Sequence, residues 1–264
     1  MNAQASLLNR QTRYRPVFDD ANTSFLASDA RYVVRLADGP EEVASALRLR
    51  HDVFNLELGV PSAADSHMDF DPFDLRCRHL IAVERSTGTI VGTYRINMLL
   101  PAESIDRLYS YGEFTIENLP DEVLFGGVEI GRACIAQEHR GSKALYLMWK
   151  GLAKFMVRAG KRYLFGCCSI FSDDRSVGSA AFYQLVSSSH VDASLHVAPR
   201  ANAIDLSFAG GEPVELPALF EMYLKLGAKI CGPPMYDEAF GTIDFFVIFD
   251  LERMNERYRR MFFS

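Results

Sequence analysis

The chain has 264 residues, of which 48% are hydrophobic and 23% are charged, and this composition excludes an intrinsically disordered, collagen-like or coiled-coil protein. Its 34 acidic and 28 basic side chains give a net charge of -6, so no overall positive potential attracts nucleic acid. The five cysteines are odd in number and lack CxxC spacing, and no apolar stretch reaches the roughly 20 residues that cross a bilayer. We therefore expect a cytoplasmic globular protein with reduced thiols, no metal site and no secretory leader.

Residues 1–30 are polar and weakly patterned, and we expect a flexible segment there, followed by a single domain over residues 31–264. A strand from Arg31 (YVVRLA) precedes a helix from Glu41 to about Leu56. Two further strands, CRHLIAVER and GTIVGTYRINML, form a predicted hairpin around Ser-Thr-Gly-Thr.

The second half of the chain alternates strand and helix. A strand over 128–135, an amphipathic helix, the strand RYLFGCCSIF and the helix AAFYQLVSS follow one another. This order implies a right-handed crossover and a parallel strand pair within a mixed sheet. An extension from about residue 203 adds the helix LPALFEMYLKLGA and the strand TIDFFVIFDLE. The predicted fold class is therefore α/β with a mixed sheet.

The loop QEHRGSKA lies between the strand EIGRACI and a helix. A glycine-containing turn at a helix amino terminus presents unpaired N–H groups and the positive end of the dipole, which together bind phosphate. Arg140 and Lys143 add positive charge. The loop is neither a Walker loop nor a GxGxxG fingerprint, so an ordinary strand-to-helix turn is the alternative.

Glu129 and Arg132 are three residues apart and face opposite sides of a regular strand. A bulge at Gly131 would bring them to one side and splay this strand from its parallel neighbour. Glu129 at such an opening can accept a proton from an ammonium nucleophile. The alternative is a structural ion pair between Glu129 and Arg132.

Arg50 and His51 in RLRHDVF precede the acidic segment DFDPFD. Guanidinium groups bind carboxylates and aspartates bind ammonium groups, so the two segments can recognise a zwitterionic amino acid. A solvated acidic loop is the alternative.

Taken together, these segments resemble the GNAT acyltransferases. RHDVF, DFDPFDLRCRHL, GTYR and EIGR occur in the order seen in acyl-homoserine-lactone synthases and, more closely, in ornithine-lipid N-acyltransferases and N-acyl amino acid synthases. The tail KICGPPMYDEAFGTIDFFVIFDLERMN is similar to that of the ornithine-lipid group. The resemblance covers about residues 31–255 and implies a GNAT-like fold with a central splayed pair of parallel strands.

The resemblance also implies roles for individual residues. Glu129 would be the general base and Tyr183 the general acid, although a tyrosine packed on the sheet is the alternative for Tyr183. The acceptor-binding positions are Arg50, Phe54, Asp71, Asp74, Arg95 and Arg132. His51 is a further candidate, which can orient a carboxylate or merely cap helix packing. The acyl-donor positions are the backbone near Cys134 and Ile135 and the loop residues Arg140, Gly141, Ser142, Lys143 and Ala144. Lys143 replaces the usual second loop glycine, and no tryptophan follows Phe54, which disfavours the homoserine-lactone activity.

Lys143, Lys150, Lys154 and Arg158 fall on one side of the predicted helix, opposite its apolar stripe. Carrier proteins are acidic, so Lys150, Lys154 and Arg158 are the predicted carrier-protein surface. A solvated basic face is the alternative. We expect acyl-phosphopantetheine on acyl carrier protein, or acyl-coenzyme A, as co-substrate, and no permanently bound cofactor.

These inferences predict an N-acyltransferase that acylates the amino group of an amino acid, ornithine being the first choice, to give a lyso-ornithine lipid or an N-acyl amino acid. The alternatives are an S-adenosylmethionine-dependent signal synthase, a small acetyltransferase and a non-catalytic acyl-carrier or lipid-binding module. Because the product is an amphiphile, RYRRMFF near the carboxy terminus can contact the cytoplasmic membrane face, or it simply ends a helix.

Overall fold

The computed structural model describes residues 25–61, 67–207 and 212–263. The chain divides into two compact units, the first being Met1–Asn97 with Gly131–Ala159 and the second Met98–Ile130 with Gly160–Phe262. Residues 1–24 of the predicted flexible segment lie outside the described residues, and its last part contains a short strand. The single domain over residues 31–264 stays a prediction.

The described elements alternate much as the hydrophobic patterns predict. In chain order the strands are β1 (Ala27–Ser28), β2 (Tyr32–Leu36), β3 (Arg78–Glu84), β4 (Ile90–Asn97), β5 (Gly127–Ile135), β6 (Tyr163–Phe171), β7 (Lys229–Ile230), β8 (Met235–Asp237) and β9 (Thr242–Asp250). The α-helices are α1 (Gly39–His51), α2 (Ser110–Glu113), α3 (Asp121–Gly126), α4 (Ala144–Ala159), α5 (Ser176–Ser187), α6 (Ala218–Leu226) and α7 (Glu256–Phe263).

In the first unit, β1, β2, β3 and β4 pair with one another in chain order as antiparallel neighbours, and the end of β5 follows β4. The backbone N–H of Ala136 donates to Val91 O at 2.9 Å, which ties the chain after β5 to β4. The sequence predicts one apolar stripe on helix α4 that includes Met148, Leu152 and Phe155. More of the helix is buried than this stripe, because Leu147, Gly151 and Ala153 are buried as well. This unit therefore has a sheet with α1 and α4 as its main helices.

Helix α1 has acidic residues in its first turn and Arg48, Arg50 and His51 in its last, an arrangement that suits the helix dipole. The sequence predicts one regular helix to about Leu56. The structure instead changes to a π-helix at Asp52–Glu57, which continues α1 without a break. Short π-helical turns occur frequently at functional sites.

In the second unit, β6 pairs with β9 antiparallel over its whole length, from Tyr163↔Asp250 to Phe171↔Thr242. Strands β7 and β8 pair with other parts of β9. The start of β5 pairs parallel to β6, so the predicted parallel pair is confirmed.

Within the described residues, the parallel ladder between β5 and β6 comprises three register pairs and ends at Glu129↔Phe165. Immediately beyond it, a β-carbon built on Gly166 would lie 2.3 Å from the carbonyl oxygen of Ile130, so only glycine fits there. Two residues further along β5, Arg132 has a φ of 49°, a conformation rare for a residue with a β-carbon. The bulge at Gly131 stays a prediction, and the left-handed residue in this part of β5 is Arg132.

Among the described residues, the helices are too short or too polar for any of them to pass through a bilayer.

Candidate active site

A buried ion network lies in the first unit, and it begins with Arg50 in the last turn of α1. The Arg50 side chain is fully buried, and its Nη1 and Nη2 donate to the two carboxylate oxygens of Asp74 at 2.7 and 3.2 Å. Its Nε donates to Asp69 Oδ2 at 2.7 Å. The three guanidinium contacts fix the end of α1 to the acidic segment that follows it.

Asp71 and Asp74 are oriented by a short 3-10 helix, Pro72–Leu75. The Asp71 carboxylate accepts from the N–H of Phe73 at 2.8 Å, and the Asp74 carboxylate accepts from the N–H of Asp71 at 2.9 Å. These two reciprocal hydrogen bonds form a capping box, which holds the carboxylates of Asp71 and Asp74 close together.

Two arginines from the sheet complete the network. Arg95 on β4 donates through Nη1 to Asp71 Oδ2 at 2.6 Å and to Asp74 Oδ1 at 3.5 Å. Arg132 on β5 donates through Nη2 to Asp71 Oδ2 at 3.2 Å, and its Nε lies 3.4 Å from Asp69 Oδ2. Three arginines and three aspartates therefore alternate in space, which leaves the network formally neutral.

The electrostatics of the network follow from its burial. Burial alone raises the pKa of Asp74, but the charges of Arg50 and Arg95 outweigh it and hold that pKa well below the ordinary value. Burial lowers the pKa of His79 to about 4, with Asp74 opposing that shift and the two arginines adding to it. His79 is therefore a neutral imidazole at pH 7, with Nε2 3.9 Å from Asp74 Oδ1.

The network has a closed interior and a more open rim. The side chains of Arg50 and Asp74 are completely inaccessible, whereas those of Asp69, Asp71 and Arg132 are 13%, 20% and 12% exposed. A guanidinium beside two carboxylates at such a rim can pair with the carboxylate and the ammonium of an amino acid.

Most of the predicted acceptor residues meet in this network, namely Arg50, Asp71, Asp74, Arg95 and Arg132. Asp69 joins them although no role was predicted for it, and its position in DFDPFD was the available signal. The other two predicted acceptor residues make different contacts: His51 faces Asp52 and the ring of His67, and Phe54 packs with Leu49, Val53 and Cys134.

The predicted donor loop also lies in the first unit, between β5 and α4. Ser142 Oγ donates to His139 O at 2.5 Å and accepts from the N–H of Ala144 at 3.1 Å, which closes the turn at the start of α4. Gly141 has a φ of 73°, a conformation that glycine adopts without strain. The loop thus places its tight turn at a helix amino terminus, as phosphate binding requires.

Arg140 in this loop has two anchors. Its Nε donates to the carbonyl oxygen of Ile135 at 3.0 Å. Its Nη1 and Nη2 donate to the two carboxylate oxygens of Glu57, with the Nη2 contact at 2.7 Å. The hydrogen bonds with Glu57 raise the pKa of Arg140 and lower that of Glu57. Glu57 has no counterpart among the predicted site residues.

Glu129, the predicted base, lies in the second unit and is 6% exposed. Its two carboxylate oxygens accept from the backbone N–H groups of Tyr109 and Ser110 at 2.9 and 2.7 Å, at the start of α2. The carboxylate is thereby held in one orientation. A carboxylate oxygen that accepts one hydrogen bond keeps a second lone pair, so the role of a base stays a prediction.

Tyr183, the predicted acid, donates its hydroxyl proton to Leu206 O at 2.5 Å. Acting as an acid would require that bond to break, and the role stays a prediction. The thiols are poor nucleophile candidates, because burial raises the pKa of Cys134 to about 12 and raises those of Cys167 and Cys168 well above the ordinary value.

The predicted carrier-protein surface lies along α4. Lys143, Lys154 and Arg158 are exposed and Lys150 is half-buried. Val157 on the same side is 63% exposed. The predicted carrier-protein surface is therefore basic and includes the exposed apolar side chain of Val157.

The chain is similar to known acyltransferases in sequence. An acetyltransferase (GNAT) domain model matches residues 49–150. The chain is 32% identical to the L-ornithine N(alpha)-acyltransferase of Brucella abortus (strain 2308), over 85% of this chain and 86% of that protein. It is 27% identical to the L-ornithine N(alpha)-acyltransferase of Rhodobacter capsulatus, over 89% of this chain and 96% of that protein.

Two solved structures resemble the fold. The AHL synthase LasI has a TM-score of 0.51 at 12% identity, over 88% of this chain and 94% of that one. The CoA-dependent acyl-homoserine lactone synthase BjaI has a TM-score of 0.51 at 13% identity, over 84% of this chain and 82% of that one. The predicted mixed α/β fold of the GNAT type is confirmed.

Proposed function

This chain belongs to the L-ornithine N(alpha)-acyltransferase family and is an amide-forming acyltransferase, and we propose that it transfers a fatty acyl or 3-hydroxyfatty acyl group from acyl carrier protein to the α-amino group of ornithine. The product is a lyso-ornithine lipid, which is one kind of N-acyl amino acid. The observation that carries the choice of an amino acid acceptor is the rim of Asp69, Asp71 and Arg132 on the ion network.

The rim suits a cationic amino acid by the number of its charged groups. Its two carboxylates and one guanidinium belong to a network that is neutral as a whole, because Arg50 and Arg95 contact Asp69 and Asp71 as well as Asp74. An amino acid with two ammonium groups and one carboxylate presents a group of opposite charge to each of the three rim groups. Ornithine has this composition.

The proposed reaction forms one C–N bond and breaks one C–S bond. Glu129 takes a proton from the α-ammonium group, and the amine nitrogen then attacks the thioester carbonyl. Backbone N–H groups at Cys134 and Ile135 bind the carbonyl oxygen as it becomes negative. The carbonyl re-forms as the phosphopantetheine thiolate leaves, and Tyr183 gives the thiolate a proton. The nitrogen loses its second proton in this step, that proton restores the Tyr183 hydroxyl through water, and Glu129 releases the first proton to solvent.

The basic side of α4, next to the donor loop, supports acyl carrier protein as the donor. The donor loop at its amino terminus can bind the phosphate of the phosphopantetheine arm with Arg140, Lys143 and the first amides of the helix. The exposed side chains of Lys154 and Arg158, with half-buried Lys150, extend positive charge along the helix. An acidic carrier protein would be attracted by this surface, whereas acyl-coenzyme A requires only the loop.

The test is an assay of the purified protein with ornithine and either acyl-carrier protein or acyl-coenzyme A, with the amide product detected by mass spectrometry. We expect faster turnover with the carrier-bound donor and a larger loss from Lys154→Glu with that donor. Equal rates and equal losses with both donors would contradict the carrier assignment. No amide from any amino acid with either donor would contradict the proposed function.

The base is tested by Glu129→Gln, with Glu122→Gln at an exposed glutamate of α3 as its matched control. Loss of a general base lowers kcat by about 100- to 10,000-fold. Because the glutamine that replaces Glu129 would also face two backbone N–H donors, the free energy of unfolding must be measured alongside. A folded Glu129→Gln enzyme with full activity would remove the assignment.

The membrane contact is proposed on α7. Tyr258 and Phe262 are at least partly buried, whereas Arg257, Arg259 and Arg260 are exposed, and Met261 is 42% exposed. An exposed cationic face of this kind is attracted to anionic lipid headgroups. Sedimentation with anionic vesicles, but not with neutral ones, is the expected result, and equal sedimentation with both would contradict it.

A further inference from the structure

The guanidinium of Arg140 is bound on both of its terminal nitrogens by one carboxylate, that of Glu57. The proposed function has Arg140 bind the phosphate of the acyl donor, and because Nε is held by Ile135 O, the same terminal nitrogens must make that contact. Two anions cannot both take the bidentate face of one guanidinium, because each needs the same pair of N–H groups. Donor binding through Arg140 therefore requires Glu57 to leave.

We propose that Glu57 competes with the donor phosphate for Arg140 and thereby sets the affinity of the enzyme for its acyl donor. The inference rests on the proposed function, since it assumes that the loop after β5 binds the donor. It assigns to Glu57 a part in donor specificity, because only a ligand with a strongly charged group can replace a carboxylate on an arginine.

The Glu57–Arg140 pair has the properties of an exchangeable contact. The side chains of Arg140 and Glu57 are 42% and 29% exposed. Ion pairs at this level of exposure are weak because water and salt screen them. A phosphodiester can therefore take the place of the carboxylate without a large penalty. The buried contacts of Arg50 with Asp74 in the same unit do not have this freedom.

Arg140 has a separate anchor that does not depend on Glu57. Its Nε donates to Ile135 O at 3.0 Å, and this bond leaves the terminal nitrogens free to change partner. Loss of the Glu57 carboxylate should therefore leave Arg140 at the donor loop. For this reason the structure favours competition over a role for Glu57 in positioning Arg140.

Glu57 also lies on an element that reaches the acceptor network. It ends the π-helix Asp52–Glu57, which continues α1 without a break, and α1 carries Arg50 in its last turn. Release of Glu57 by a donor would therefore act on the helical segment that also holds the acceptor-side arginine.

The test is Glu57→Gln, which removes the charge and keeps the shape of the side chain. We expect the KM for the acyl donor to fall by about two- to five-fold, which is the range for loss of an exposed ion pair, and kcat/KM for the donor to rise by the same factor. Glu84→Gln is the matched control, because Glu84 pairs with the exposed Arg31 in the same unit. It should leave the donor KM unchanged.

A second variant separates competition from other effects of the substitution. Arg140→Gln should raise the donor KM, and adding Glu57→Gln to it should have no further effect, since the contested group is gone. Titration calorimetry measures the dissociation constants of coenzyme A and, separately, of the holo form of an acyl carrier protein. The same variants can thus be compared in donor binding without turnover.

An unchanged or higher donor KM in folded Glu57→Gln would overturn the inference. So would an equal effect of Glu57→Gln in the presence and absence of Arg140. Either result in an enzyme that still makes amide leaves the proposed function intact. Absence of amide from the unsubstituted protein instead removes the proposed function.

Discussion

The carboxylate of Asp74 and the guanidinium of Arg50 form a two-point contact, at 2.7 and 3.2 Å, in which neither side chain is exposed to solvent. Arg95 contacts the same carboxylate at 3.5 Å. Each charge has lost its hydration, so each depends on its partners in the protein. This interior part of the network should hold the first unit together, while the rim above it is the part proposed to bind the amino acid.

Asp74→Asn should therefore be a stability variant. It leaves two buried guanidinium groups short of one negative charge, and breaking a buried pair in this way typically costs about 3–5 kcal/mol. Chemical denaturation at pH 7.5 measures the loss. Glu84→Gln, which removes a pair with the exposed Arg31, should cost much less. A similar small loss for Asp74→Asn would show that the network is not structural.

The stability of the protein should also fall as the pH is lowered from 6.5 to 4, because of His79. Its pKa is lowered to about 4 in the folded protein by burial among Asp74, Arg50 and Arg95. Between these pH values the unfolded chain binds a proton that the folded chain does not, so the contribution is complete above pH 6.5 and is lost on acidification. The lowered pKa of Asp74 changes the free energy of unfolding only below about pH 4, where the aspartate of the unfolded chain begins to bind a proton.

The measurement is the free energy of unfolding at pH 7.5 and at pH 5. The His79 contribution should fall by about 2 kcal/mol between them, since one pH unit corresponds to about 1.4 kcal/mol. His79→Asn should remove that part of the decrease. His196→Asn, at an exposed histidine, is the control and should keep the original slope. Equal slopes in all three proteins would contradict the assignment.

The sequence predicts the parts of the site that local patterns or motifs mark. Arg50, Arg95 and Arg132 lie in RHDVF, GTYR and EIGR, and their convergence on the acidic segment is found in the structure. The parallel strand pair follows from the order of strands and helices. Such features depend on spacing within a segment or on the sequence of elements, which a chain displays directly.

Contacts between distant segments could not be predicted in the same way. Glu57 and Arg140 are 83 positions apart, and no motif links them. The π-helix that carries Glu57 has only 6 residues, which is too short for a periodicity that is recognised over about 11 to 18 residues to reveal it. Glu129 is bound by the N–H groups of Tyr109 and Ser110, which lie in a segment with weak hydrophobic patterning.

The end of the parallel ladder should depend on Gly166. A β-carbon at this position would lie 2.3 Å from the carbonyl oxygen of Ile130, and a backbone atom cannot move aside as a flexible side chain can. Gly166→Ala should therefore destabilise the protein by about 1–3 kcal/mol, the usual cost of overpacking. Thermal and chemical denaturation measure this cost.

Gly131→Ala is the matched control for that substitution. It lies on β5 next to Ile130, but a β-carbon there would have no atom within 4 Å. We expect its free energy of unfolding to stay close to that of the unsubstituted protein. If the two alanine variants were equally stable, the close approach at Gly166 would not be what limits the pairing of β5 with β6.

Catalysis should proceed without a covalent acyl-enzyme on Cys134. With its pKa raised to about 12 by burial, only about one thiol in 10,000 is ionised at pH 8, and the thiol form is a poor nucleophile. Incubation with acyl donor in the absence of ornithine should leave the intact mass unchanged, and Cys134→Ala should retain turnover after allowance for any loss of folded protein. An acyl adduct on Cys134, together with loss of turnover in folded Cys134→Ala, would replace direct attack by a two-step transfer. Direct attack requires the amine and the thioester to be bound at the same time, so initial rates should show intersecting rather than parallel lines when both substrates are varied.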